Sequence, residues 1–183
     1  MSLDEKLQIL TPEGRPTGRL ATRKEVHEQN LWHRCVHVFV RNGRNEFIVQ
    51  KRSMNKRIAP GLLDMSCGGH AVGFDDSLTA ARREMEEEIG IVPDEENLEH
   101  LGEVVYADGI WEYCDVYLLT VEFDPAALRW QEDEIDGLLV LPYLEMKEAY
   151  EKKNGAYLDN DDSWALLFER VDGETNARRA PES

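Results

Sequence analysis

Three glutamates, Glu84, Glu87 and Glu88, stand at positions i, i+3 and i+4 of a strongly helical stretch. On a helix that spacing brings the carboxylates together on one face. Like charges so placed cost about 0.2–0.5 kcal/mol per pair, a repulsion that a cation between them would remove. Oxygen-only ligands suit hard ions, Mg2+ before others, and protein-bound Mg2+ is commonly shared with substrate phosphates. Arg83 lies four residues before Glu87 and can orient it. The chemistry this set could serve is therefore reaction at a phosphoryl group beside a divalent ion. The plainer alternative is a solvated helix face, which glutamates often form.

The helix that would carry the acids has clear ends. Asp76 and Ser77 are both good N-caps, Gly90 stands where a C-terminal glycine belongs, and Pro93 follows it. Leu78, Ala81, Met85 and Ile89 make the buried stripe, and the three acids are expected on a different face. A glycine-containing loop, Gly68 to Gly73, leads into the helix. Gly69, Arg83, Glu84, Met85, Glu87, Glu88, Gly90 and Ile91 together resemble the Nudix box, G-x5-E-x7-R-E-U-x-E-E-x-G-U with U bulky and apolar. One position departs: the first acidic place holds Asp75, one methylene shorter than the usual glutamate. The resemblance implies an α/β fold, the Nudix α/β/α sandwich with a mixed central sheet and the box as a loop–helix–loop. It also implies Mg2+ on Glu84, Glu87 and Glu88, with Mn2+ as a substitute.

The rest of the chain narrows the partners. At 183 residues it is expected to form one domain over 1–172, with 173–183 a disordered polar tail. The formal charge of −16 gives no general attraction to nucleic acid. No apolar run approaches the roughly 18–20 residues of a membrane span, and the start of the chain does not read as a signal peptide. Cys35, Cys67 and Cys114 are an odd set without zinc-type C-x-x-C spacing, so a reducing cytoplasm is the expected compartment. The expected partner is a small-molecule diphosphate, with a homodimer left open.

In chain order, residues 5–22 read as two short extended pieces around Pro12-Glu13-Gly14, and 23–32 as a polar stretch. His33–Val40 and Glu46–Lys51 are strands joined through Asn42-Gly43, a hairpin signal. Residues 52–61 form a basic loop, and Leu62–Ser66 a short strand. Strands follow at 98–106 and 111–123, joined at Asp108-Gly109, then an acidic loop at 124–136 and a buried strand at Gly137–Leu141. Helices are expected near 143–153 and 161–171. Trp32, Trp111, Trp130 and Trp164 could stack on a base, although strand aromatics more often serve the core.

Residues 11–70 resemble, within the Nudix superfamily, the branch of isopentenyl-diphosphate isomerase and its hydrolase-like relatives. The likeness rests on EVHEQNLWHR (25–34), QKRSMNKRIAPG (50–61) and the Gly69-His70 pair. Isomerases place a catalytic cysteine immediately before Gly-His, where this chain has Gly68, and Cys67 comes one residue early. Their catalytic glutamate falls on Cys114 if Glu112 matches the earlier glutamate, and they typically lose the counterparts of Glu84 and Glu87. The retained carboxylate set fits hydrolysis, where metal must polarise phosphorus, activate water and neutralise the leaving group.

The leading expectation is accordingly a Nudix-type pyrophosphohydrolase, acting on an acid anhydride in a nucleoside diphosphate-X compound through metal-activated water. The proton would go to a box glutamate or to the loop Glu132-Asp133-Glu134. Arg52 and Lys56 match the isomerase branch's diphosphate-gripping positions, and Gly69 would let backbone approach the site. The same resemblance places His27, His33, His70 and Glu112, with Cys114 in a fifth place, around a second metal such as Zn2+; hydrogen-bonded histidines bracing a loop are the plainer alternative. His37 shares a strand face with His33 and is an outside candidate. Two other readings stay open: an isopentenyl-diphosphate isomerase-like enzyme, and a non-catalytic Nudix-fold ligand-binding module.

Overall fold

The computed structural model describes residues 5–56 and 58–179. Its centre is β3 (His33–Arg41), whose residues alternate between two cores. Val36, Val38 and Val40 face one helix, and Cys35 and Phe39 face two others. β3 runs parallel to β8 (Trp111–Thr120), with Cys35 directly opposite Cys114, and antiparallel to β6 (Cys67–His70). Beyond β3 lie β4 (Glu46–Arg52) and β5 (Leu63–Asp64), and beyond β8 lies β7 (Leu98–Ala107). β9 (Ile135–Pro142) pairs with β4. The result is a mixed sheet of seven strands. A separate hairpin, β1 (Lys6–Leu10) with β2 (Pro16–Thr22), packs a small core of Leu7, Ile9, Ala21 and Val26.

Among the described residues, four α-helices flank this frame. α1 (Arg23–Glu28) starts at a capping box: the Thr22 hydroxyl accepts from the Glu25 backbone, and the Glu25 carboxylate accepts from the Thr22 N–H at 2.8 Å. The stretch read only as polar thus holds a helix. α2 (Ser77–Ile89) is capped by Asp76, whose carboxylate accepts the Thr79 N–H at 2.8 Å, and it ends at Gly90 with φ 71°. It covers the valine face of β3. α3 (Tyr143–Glu151) and α4 (Asp161–Arg179) cover the other face, where Trp164 is fully buried edge-on to Phe39.

Two expectations need correcting. The stretch 137–141 is not buried within β9, which lies along β4: Leu138, Val140 and Leu141 are half-buried and Leu139 is exposed. The tail from Gly173 is not disordered through its length, because α4 continues to Arg179. Contacts distant in sequence hold it there. Glu174 accepts two bonds from the Arg41 guanidinium at 2.7 and 2.8 Å, and Asp172 pairs with Lys147 at 2.6 Å. These anchors offset the roughly 0.5–1 kcal/mol that a mid-helix glycine costs. Residues 180–183 of the expected tail, and Arg57 of the basic loop, lie outside the described residues.

Candidate active site

The acids of α2 do not share one exposed face. Glu84 and Glu88 are 1% and 2% exposed, alongside Ala80, Ala81, Met85 and Ile89 on the buried side of the helix, whereas Glu87 is exposed. The separate face expected for the triplet is thus corrected: two of the three carboxylates run along the helix's packed side. Arg83 ties them together, donating to Glu84 at 2.8 Å, to Glu87 at 3.3 Å and to the His70 carbonyl at 2.7 Å. The Gly68 N–H reaches Glu88 at 3.2 Å. Burial raises the Glu84 carboxyl pKa against the pull of Arg83. Burial, then the charge on Glu84, pushes Glu88 up to about 7. Holding both ionised is costly, and a cation among them would relieve that cost.

Glu88 opens into a cleft also lined by Arg52, Lys56, Asp64, Gly68, Gly69 and His70. Arg52 and Lys56 both reach it, but each already has work. Arg52 donates to Asp64 at 2.9 Å and to the carbonyls of Ile58 and Ala59, so it braces the basic loop. Lys56 is ion-paired with Glu134. Of the acidic loop's Glu132, Asp133 and Glu134, only Glu134 is buried. Gly69 lies in β6 opposite Val36. The close approach belongs instead to its neighbour: a Cβ at Gly68 would stand 2.9 Å from the Val36 carbonyl and 3.3 Å from the His37 ring. Asp75 is half-buried in the turn before the Asp76 cap and donates its N–H to Val72 at 3.0 Å.

On the other side of the cleft His27, His33, His70 and Glu112 converge, each offering a ligand atom within 4.8 Å of the others. The ring centres of His33 and His70 are 5.1 Å apart, and that of His27 is 5.4 and 5.3 Å from them. His27 comes from α1, His33 from the start of β3, His70 from the end of β6 and Glu112 from β8. Burial pushes the His70 imidazole down to about 4. Burial opposes the Glu112 charge, but the His33 and His70 imidazoles beside it hold its carboxyl well below the usual range. Cys114 does not join this group. It faces Cys35 and His37, so the fifth place assigned to it is corrected: strand pairing aligns it with Cys35 instead. Among the tryptophans, Trp164 is core and Trp32 packs edge-on to Trp111 at 4.8 Å, which leaves Trp130 on the surface.

Comparison with known proteins decides the family. A model described as the NUDIX domain matches residues 31–161. The chain belongs to the Nudix family. Nudix hydrolase 3 of Arabidopsis thaliana is 34% identical over 180 residues, 92% of this chain and 23% of that protein. An uncharacterized Nudix hydrolase of Clostridium acetobutylicum is 32% identical over 158 residues, 82% of this chain and 76% of that one. The chain therefore spans under a quarter of the Arabidopsis relative and about three quarters of the clostridial one. A crystal structure from Deinococcus radiodurans matches with a TM-score of 0.69 over 89% of this chain and 98% of that one, at 21% identity, which speaks for the Nudix fold.

The box helix α2 packs against the central sheet, and of its acids Glu88 lines the cleft. Sequence reasoning missed Asp64, which accepts from Arg52 at 2.9 Å and from Asn160 at 3.2 Å, and Arg23, which lines the cleft from α1. Nothing local marks Asp64. Arg23 was within reach, because Thr22-Arg23-Lys24-Glu25 is a capping box and places the next residues on a helix.

Proposed function

We propose that this protein is a Mg2+-dependent pyrophosphohydrolase that cleaves the diphosphate linkage of a nucleoside diphosphate-X type compound with water. The observation that carries this reading is the pair of buried acids, Glu84 and Glu88, beside Glu87 on α2: Arg83 holds Glu84 and Glu87, the Gly68 N–H reaches Glu88, and Glu88 lines the cleft. The fit to a hard divalent ion rests on that oxygen donor set and on the raised Glu88 carboxyl. Glu84, Glu87 and Glu88 would hold Mg2+, or Mn2+ in its place. Bound there, the ion would polarise phosphorus, favour ionisation of water and neutralise the leaving phosphate. Arg83 keeps the carboxylates in place. Lys56 presents a positive charge to the diphosphate across from Glu88, and Arg52 shapes the loop that carries Lys56. The proton goes to a box carboxylate or to Glu134, the loop acid buried against Lys56.

Isomerase chemistry fits the side chains less well. The slot for its cysteine is Gly68, where a Cβ would press on the Val36 carbonyl, and Cys67 is buried beneath α2 on the opposite face of β6. The slot for its glutamate holds Cys114.

The histidine cluster is proposed as a second site, for a transition metal such as Zn2+. His33 supports this. Its Nδ1 lies 2.9 Å from the Leu31 carbonyl and must donate to it. A neutral ring then aims the Nε2 lone pair toward a carboxylate oxygen of Glu112 at 3.1 Å. Two electron-rich atoms so placed call for a proton or a cation between them.

The test is release of phosphate or nucleotide from a panel of dinucleotides, nucleotide sugars, nucleoside triphosphates, coenzyme A derivatives and prenyl diphosphates. Turnover of at least one compound with Mg2+ or Mn2+, lost on adding chelator and in Glu88→Gln, supports the reading. Undiminished turnover in Glu88→Gln, or ligand binding without cleavage anywhere in the panel, would sink it.

A further inference from the structure

We propose that Cys35, His37 and Cys114 form a site for a thiophilic divalent ion of the Zn2+ class, at the floor of the cleft and separate from the box acids. Cys35 and His37 are two residues apart on one face of β3, and Cys114 is the register partner of Cys35 on the parallel β8. The two sulfurs and a ring nitrogen lie within 4.8 Å of one another. Tetrahedral zinc ligands sit about 2.0–2.3 Å from the metal, and so about 3.3–3.8 Å from each other. Modest side-chain rotation closes that gap without moving strands.

Three further features suit an ion. First, the imidazole is oriented. His37 Nδ1 is 2.9 Å from the Ser163 hydroxyl, which is itself 3.0 Å from the Tyr106 hydroxyl, leaving Nε2 for the sulfurs. Metal-binding histidines are commonly fixed in this way through their second nitrogen. Second, a fourth donor is at hand: one Glu112 oxygen lies 3.5 Å from Cys35 Sγ while the other faces His33 and His70. Glu112 can therefore bridge this site and the histidine cluster. Third, Cys35 and His37 line the cleft, which gives an entry path, while Cys114 behind them is fully buried. With Glu112 as fourth donor, a divalent ion leaves one negative charge where two thiolates and a carboxylate would carry three, so the loaded site suits a buried floor better than separate ions would. On binding, each thiol gives its proton to solvent and no bond to carbon changes.

The experiment is Co2+ titration of the reduced, chelator-stripped full chain, followed by near-ultraviolet absorption. The expected result is a sulfur-to-cobalt charge-transfer band whose final intensity corresponds to one thiolate-bound Co2+ per chain, whatever Co2+ the histidine cluster or the box acids also take, and which Zn2+ removes. Cys35→Ala and Cys114→Ala should each abolish the band, and Glu87→Gln should keep it. Ser163→Ala should keep the band but weaken Co2+ binding about 10–100-fold. Circular dichroism reports whether the cysteine variants fold, and the wild-type titration decides the matter if they do not. Co2+ bound by the wild-type chain without a thiolate band would overturn the proposal, as would a band persisting in both folded cysteine variants. A Cys35–Cys114 disulfide in the unreduced protein, with no band after reduction, would also overturn it. None of these readouts depends on turnover, so a failed hydrolase assay leaves the test intact.

Discussion

Replacing Gly68 by alanine tests how tightly the site is built. The added methyl would lie 2.9 Å from the backbone oxygen of Val36, 3.3 Å from His37 Cδ2 and 3.7 Å from Met65 Sδ. The nearest atom is main chain in the central strand and cannot rotate away, so β6 or β3 must shift. Overpacking of this kind costs about 1–3 kcal/mol. For a chain of this size each kcal/mol moves the melting temperature by about 2–4 °C. Gly68→Ala is therefore expected to melt about 2–12 °C lower. Because the Gly68 N–H reaches Glu88, diphosphate turnover should fall with it. Gly137→Ala is the control: a Cβ there meets nothing within 4 Å, and no loss of stability is expected. Calorimetry of both variants measures the difference. A Gly68→Ala protein that melts with the wild type would show that β6 is not pressed against the Val36 carbonyl.

Three other outcomes follow from the same contacts. Asp76→Ala should destabilise the protein by about 0.5–2 kcal/mol by urea unfolding, whereas Asp76→Asn keeps the cap. The Thr79 backbone bond holds the Asp76 carboxyl below its ordinary pKa, so its contribution is present above the unfolded value and lost as pH falls through the folded one. Asp76→Asn should flatten that acid limb, and an unchanged limb would contradict the assignment. Arg83→Ala leaves buried Glu84 without its cation and the His70 carbonyl without a donor, so diphosphate turnover should drop more than about tenfold; Arg83→Lys should not restore it, because an ammonium cannot reproduce the fork. Arg41→Ala should speed amide exchange in the last turns of α4, where Glu174 is anchored, and exchange identical to wild type would show the ion pair to be idle.

What could be read from residues alone was what local chemistry determines. α2 was legible because its stripe, its Asp76 cap and Gly90 all lie within the helix and its ends, and the β3–β4 hairpin because Asn42-Gly43 marks its own turn. α1 carried an equally local signal in Thr22 and Glu25 that a six-residue helix made easy to pass over. The burial of Glu84 and Glu88 could not be read, since it depends on how α2 settles against β3 and β6. Nor could the place of Cys114: the pairing of β8 with β3 crosses about eighty residues and sets a cysteine opposite a cysteine. The continuation of α4 past Gly173 likewise rests on Arg41 and Lys147, both far away in the chain. The C-x-x-C spacing absent from the sequence says nothing of thiols that strand register brings together.

The central claim is that the box acids hold a divalent ion against a diphosphate. An anomalous difference map from crystals soaked in Mn2+ tests it most directly. A manganese peak is expected among the carboxylates of Glu84, Glu87 and Glu88, absent in Glu88→Gln crystals soaked in the same way. Those three side chains pointing apart with no metal peak among them, in crystals that take up manganese elsewhere, would contradict it.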